Sequence, residues 1–214
     1  DWTYILLIIG MLLSLAASAR LKSTFSYYRR IRSASGLTGA ETAKRILQAA
    51  GITDVHVRAI SGSLTDHYDP RTKTVSLSED IYGQTSLAAV GVAAHECGHA
   101  IRSAIVPVAN FGSTLSWPLF LIGLFSGIRP LVTAGIVLFS LAVLFQLVTL
   151  PVEINASSRA LKMLQSTGIL GTDETRGARK VLTAAAMTYV AALAASILQL
   201  LRLLILAGGR RRDD

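Results

Sequence analysis

Residues 130–150 read PLVTAGIVLFSLAVLFQLVTL, an unbroken run without a charged side chain. A helix needs about 20 apolar residues to cross the hydrocarbon core of a bilayer. This one stretch therefore sets the class, a membrane protein, and similar stretches recur on either side of it. Trp2 to Ala19 is uncharged, as is the block from about Ala109 to Gly127. The block from about Leu182 to Ala207 carries a single charge, Arg202. The second and third blocks are separated only by Ser126-Gly127-Ile128-Arg129, which reads as the turn of a helical hairpin. Of the 214 residues, 51% are hydrophobic and only 16% charged, against about 25% charged in a soluble domain. The mean hydropathy is +0.50. Such content excludes a largely disordered chain. One cysteine, Cys97, excludes a disulfide scaffold within the chain.

The net charge is +8, from 21 Lys and Arg against 13 Asp and Glu. Eleven of the 21 lie between residues 20 and 103 and five between 151 and 181. Loops rich in Lys and Arg stay on the cytoplasmic side. Four spans then place both large loops in the cytoplasm and the hairpin link and C-terminus outside. The Arg210-Arg211-Arg212 tail runs against this count, either by snorkelling or because the last block does not fully cross. The first block has Asp1 before it and Arg20, Lys22, Arg29, Arg30 and Arg32 after it. That order marks a retained anchor rather than a cleaved leader. The charge is thus topological, and no nucleic-acid partner is expected. The most basic aromatic stretch, Phe25 to Arg32 (FSYYRRIR), falls where an interfacial belt belongs.

The expected architecture is a mainly α membrane protein of about four transmembrane helices with a small α+β cytoplasmic insert. Residues 1–20 form the first span, and residues 21–105 form a cytoplasmic domain. Residues 106–150 form the hairpin of spans two and three. Residues 151–181 form a second cytoplasmic segment, and residues 182–214 form the fourth span and basic tail. Within the insert, Thr38 and Glu41 make a capping box. Ala43, Ile46, Leu47 and Ala50 keep helical spacing up to Gly51. Val55, Val57 and Ala59 alternate with polar residues, as do residues 74–78, and Asp69-Pro70 is a turn. A hairpin around residues 64–78 in a small antiparallel sheet follows. From Ser86 a run of small apolar residues reads as a buried helix that Pro107 bends or ends.

That helix contains Ala94-His95-Glu96-Cys97-Gly98-His99. Histidines four apart share one helix face, about 40° apart around the axis. Their rings can converge on one metal ion, with the carboxylate of Glu96 within reach of a water held there. This is the H-E-x-x-H pattern of zinc proteases. A helix face with two histidines and no metal is the plainer reading, but a small apolar helix would leave both desolvated. A catalytic zinc takes a third protein ligand and keeps a position open. Asp173 and Glu174 follow a loop and suit a helix start. Asp213 and Asp214 fall beyond the fourth block. Glu153 stands between Val152 and Ile154, just after the third block. Two crossings of about 30 Å return the chain to the face it left, so His95, His99 and Glu153 can meet at the cytoplasmic boundary. A carboxylate that merely pairs with Arg159 or caps a helix is the alternative.

The stretches LTDHYDPRTKTVSLSEDIY, AAHECGHAIR, LPVEINASSRAL and TYVAAL resemble the YugP-type family of bacterial membrane neutral zinc metallopeptidases. That family is similar to the gluzincins, which include HtpX-type peptidases. The resemblance implies His95, His99 and Glu153 as zinc ligands, Glu96 as general base and a cytoplasmic active site. The insert with its H-E-x-x-H helix is then zincin-like, and the protein a zinc metalloendopeptidase of the plasma membrane; a site at the membrane boundary suggests membrane proteins or small peptides as substrates. Many gluzincins carry Asp four residues after the ligand Glu. Here that position is Ser157, so Asn155 or Ser157 orients the ligands.

Other residues carry weaker expectations. Cys97 projects away from the histidines and packs in the core. His67 and Tyr189 are candidates to stabilise the transition state, with a surface histidine and a belt tyrosine as the plainer readings. Arg202 pairs inside the bundle or snorkels, and His56 faces solvent. The hairpin edge could hold an extended peptide, in which case Val75→Pro would damage cleavage and spare zinc. An intramembrane protease would need an N-P-D-G type motif, which is absent. A membrane scaffold with structural zinc would not need Glu96. Substrate and oligomeric state are left open.

Overall fold

The computed structural model describes residues 2–101 and 129–209. The second apolar block, the hairpin link before Arg129, Pro107 and the basic tail lie outside the described residues. Among the described residues, three helices are long and apolar enough to cross a membrane, and at most 11% of the most apolar window of each is buried inside the protein. They are α1 (Tyr4–Tyr28), α5 (Arg129–Ser166) and α6 (Thr172–Gly209). Between α1 and α5 lie α2 (Gly39–Ala49), β1 (His56–Ile60), β2 (His67–Asp69), β3 (Thr74–Ser78), α3 (Glu79–Tyr82) and α4 (Leu87–Ala100).

The chain forms two compact units. The first comprises residues 1–18, 105–151 and 187–214. Among its described residues, Gly10 lets α1 lie against Ala195 of α6; a Cβ there would stand 3.1 Å from the Ala195 Cα. Small residues permit such close helix packing in lipid. Ser196 Oγ donates to Gln146 Oε1 at 3.2 Å. The Arg202 guanidinium lies 4.6 Å from the centre of the Tyr4 ring, so this charge sits over an aromatic face.

The second unit comprises residues 19–104 and 152–186. The polar insert and the segment bearing Glu153, two separate stretches of sequence, fold together here. The capping box forms as read: Thr38 Oγ1 accepts from the Glu41 N–H at 3.2 Å, and Glu41 Oε2 accepts from the Thr38 N–H at 2.8 Å. It starts α2, whose Ala43, Ile46 and Leu47 are buried. These pack with α4, which lies at the centre of the unit. Ala88, Ala89, Val90, Ala93, Ala94 and Cys97 of α4 are almost wholly inaccessible. Val75 and Leu77 of β3, Ala160 and Leu164 of α5, and Ala178 and Val181 of α6 complete this core. A helix packed on most of its sides must present small side chains there, because its neighbours approach closely. Ser86 caps its start by accepting from the Ala89 N–H.

The sheet corrects the sequence reading. The hairpin around residues 64–78 is present, with β2 antiparallel to β3 and Tyr68 opposite Val75. However, β1 runs parallel to β3, with Val57 opposite Val75, and the strand order is β1-β3-β2. The sheet is mixed, not antiparallel, because the chain leaves β1, passes to the far side of β3 and only then turns back. All five residues of β3 are buried. Its polar face is covered rather than solvated: Arg58 Nε donates to Ser76 Oγ at 3.1 Å, and Asp66 takes both the N–H and the hydroxyl of Ser78. Val75 therefore lies on the central strand, and Val75→Pro would break the sheet instead of testing an edge. The open edge next to α4 belongs to β2, which packs against that helix.

Candidate metal centre

The site lies entirely within the second unit. His95 and His99 stand one turn apart on α4 and project to one side. Their Nε2 atoms are 3.2 Å apart. Glu153, on α5, places Oε2 3.5 Å from His95 Nε2 and 3.3 Å from His99 Nε2. Three ligand atoms about 2.0–2.2 Å from one tetrahedral ion would be about 3.3–3.6 Å apart. The three separations, 3.2, 3.3 and 3.5 Å, lie close to one face of such a tetrahedron. Glu153 Oε2 is buried and accepts no hydrogen bond of ordinary geometry among the described residues. A buried carboxylate oxygen facing two imidazole nitrogens calls for a cation. Two nitrogens and one oxygen suit zinc better than calcium or magnesium, which favour oxygen ligands throughout. The three side chains are 13%, 21% and 19% exposed, so the group is partly open to solvent.

Backbone contact brings these residues together. A Cβ on Gly98 would lie 2.7 Å from the Ala156 carbonyl oxygen. Only glycine lets α4 and α5 approach this closely, and Ala156 is fully buried at the contact. Glu153 lies about one turn before it on α5. Ser157, one turn beyond Glu153, places Oγ 3.1 Å from His95 Nδ1. Were Nε2 to hold a metal, Nδ1 would carry the proton and donate to that hydroxyl. Of the two orienting residues considered, Ser157 makes the contact, and Asn155 is exposed. Arg159 does not hold Glu153 in place of a metal: its Nε donates to the Gly98 carbonyl at 3.3 Å, near the carbonyl end of α4.

Glu96 is buried, 7% exposed. Burial pushes its carboxyl above the usual carboxylate range, His95 and His99 pull it back, and Asp66 and Glu153 add to the rise. Burial draws the His99 imidazole down, but Glu153 beside it more than offsets this, leaving it raised. Cys97 is buried with Sγ 3.6 Å from the Ala43 carbonyl, and burial pushes its thiol up. It packs against α2 and stands outside the ligand set. His67 is exposed on β2, with Nδ1 2.9 Å from the Thr65 carbonyl. Tyr189 is 48% exposed on the part of α6 that belongs to the first unit. The sequence reading missed Asp66 and the bond from Arg159 to α4. No spacing advertises either, since their partners lie far away along the chain.

The chain matches the family model described as "Putative neutral zinc metallopeptidase" over residues 3–208. It belongs to this family. It is 48% identical over 210 residues to "Putative membrane protease YugP" of Bacillus subtilis (strain 168), covering 92% of this chain and 93% of that protein. No solved structure matches it. Zinc is the family's metal, and the His95, His99 and Glu153 group can hold it.

Proposed function

We propose that the protein is an integral-membrane zinc-dependent endopeptidase whose active site faces the cytoplasm. The observation that carries this is the triangle of His95, His99 and Glu153 ligand atoms, 3.2 to 3.5 Å on a side, with a buried carboxylate at Glu96 on the same helix. The B. subtilis relative described as a membrane protease supports the same reading. When bound, zinc lowers the pKa of water to about 7 and polarises a carbonyl.

The residues of the chain divide the remaining work. His95, His99 and Glu153 hold the ion, and Ser157 fixes the tautomer of His95. The Glu96 carboxylate accepts a proton from the attacking water as the new carbon–oxygen bond forms. It then delivers that proton to the leaving nitrogen as the carbon–nitrogen bond breaks. A carboxyl raised by burial is better matched to this task near neutral pH than an ordinary one. The free edge of β2 lays the peptide out by backbone pairing alongside α4. Positive loops support four spans with the site on the cytoplasmic side of the plasma membrane. Substrates are then peptides or membrane proteins presented at that boundary.

Cleavage of casein by detergent-purified protein tests the reading, with Glu96→Gln alongside and zinc measured in both. Wild-type cleavage, with a variant that holds zinc but cuts at least a hundredfold more slowly, is expected of a general base. Bound zinc with no cleavage in either would instead favour a non-catalytic scaffold with a structural zinc.

A further inference from the structure

The loop between β1 and β2, residues 61–66, holds a strained backbone. Gly62 has φ +106° and Leu64 φ +56°. Glycine adopts a positive φ freely and Asn tolerates it, but for leucine it is costly. Core packing does not explain the leucine, since Leu64 is 40% exposed. The loop is nevertheless held firmly. Thr65 Oγ1 donates to the Ser61 carbonyl at 3.2 Å, and Ser63 Oγ donates to Asp80 Oδ2 at 2.6 Å. Asp66 accepts from the Ser78 N–H at 2.7 Å and from its hydroxyl at 3.1 Å. Asp80 is itself paired with Arg29 at 2.7 Å. Strain that surrounding contacts maintain is a pointer to function. The position agrees. Leu64 stands two residues before Asp66, which is tied to Ser78 of β3, and three before β2, which packs against α4, the helix that carries Glu96.

We propose that Leu64 is a specificity-determining residue, giving an apolar contact to a bulky apolar side chain of a peptide laid along β2 toward Glu96. This rests on the peptidase reading. A bilayer is the other surface that would take an exposed leucine, but the loop has the wrong charge for one. From Ala59 to Pro70 there is no Lys or Arg, while Asp66 and Asp69 are present. Segments that enter anionic headgroups bring basic residues.

The test digests casein with the full-length protein in detergent and maps the cleavage sites by mass spectrometry. Wild type, Leu64→Gly, Leu64→Met and Glu96→Gln are compared, with thermal midpoints recorded. Wild type should favour bonds with Leu, Ile, Phe or Met within two positions of the cut. Leu64→Gly should lose that preference by roughly fivefold to tenfold, the low end for an apolar contact because the surface is open. It should cut bonds flanked by small residues as before and melt no lower, since glycine relieves the backbone. Leu64→Met should keep the preference. An unchanged cleavage profile in a folded Leu64→Gly overturns the proposal. So does a uniform slowing seen only when the protein is reconstituted in vesicles, which would assign the leucine to the bilayer. Zinc-loaded wild type that cuts no better than Glu96→Gln overturns the peptidase reading and this proposal with it.

Discussion

Ser157 is a single hydroxyl 3.1 Å from His95 Nδ1, and under the peptidase reading it holds the ring with Nε2 free for the metal. Removing it leaves the ring without its Nδ1 acceptor, and such outer contacts are typically worth 10–100-fold in metal affinity. Ser157→Ala should therefore bind zinc about tenfold more weakly in competition with a chromogenic chelator, while Asn155→Ala should not change. Asp66 acts on Glu96 through charge. Asp66→Asn keeps both hydrogen bonds to Ser78, since the amide oxygen accepts from the N–H and the amide nitrogen donates to the hydroxyl. It removes a negative charge that raises Glu96. Glu96 would then lose its proton at lower pH, and the acid limb of kcat/KM should move to lower pH. A limb that stays put or moves up would count against Asp66 as a neighbour of the base. Glu153 was legible from sequence because an acid at the end of an apolar run needs a reason. Asp66 was not, because its influence on Glu96 crosses thirty positions and depends on how β2 packs against α4.

At the level of elements, the contact between α4 and α5 controls the site. In an isolated helix Gly98→Ala would be favourable by about 1 kcal/mol. Here the added methyl would stand 2.7 Å from the Ala156 carbonyl, and overpacking costs about 1–3 kcal/mol. Contact wins over propensity. Gly98→Ala should lower the melting temperature and lose most of its zinc by elemental analysis, while Gly83→Ala, which meets nothing within 4 Å, should do neither. The sequence marked the helices and strands well, because capping, periodicity and turn chemistry are local. Strand direction is not local. Nothing between Ile60 and Thr74 tells the reader that the chain crosses to the far side of β3 before pairing. The alternation in residues 74–78 suggested one wet face, yet Arg58 and Asp66 cover the side that Ser76 and Ser78 present.

For the whole molecule, metal and fold should be linked. The three residues that could hold zinc come from two helices packed together in the fold, so zinc that binds the folded state alone must stabilise it. Chelation should lower the melting temperature, and free zinc at 100 times its dissociation constant should restore about 2.7 kcal/mol. Glu96→Gln should show the same shift, separating binding from catalysis. Acid should release the metal, since zinc requires neutral imidazoles. Because Glu153 raises His99 in the metal-free site, zinc affinity should begin to weaken with falling pH above the value of an ordinary histidine, near 6.5; an affinity that stays flat through that range would count against the pairing.

The span of the ligand set along the chain also has a bearing on biosynthesis. His95 and His99 leave the ribosome long before Glu153, with a long apolar stretch of chain between them. Under the peptidase reading, a nascent chain therefore carries two histidines and a base but no complete site, and cutting power arrives only after α5 has docked on Gly98, so a half-made copy is harmless to its neighbours.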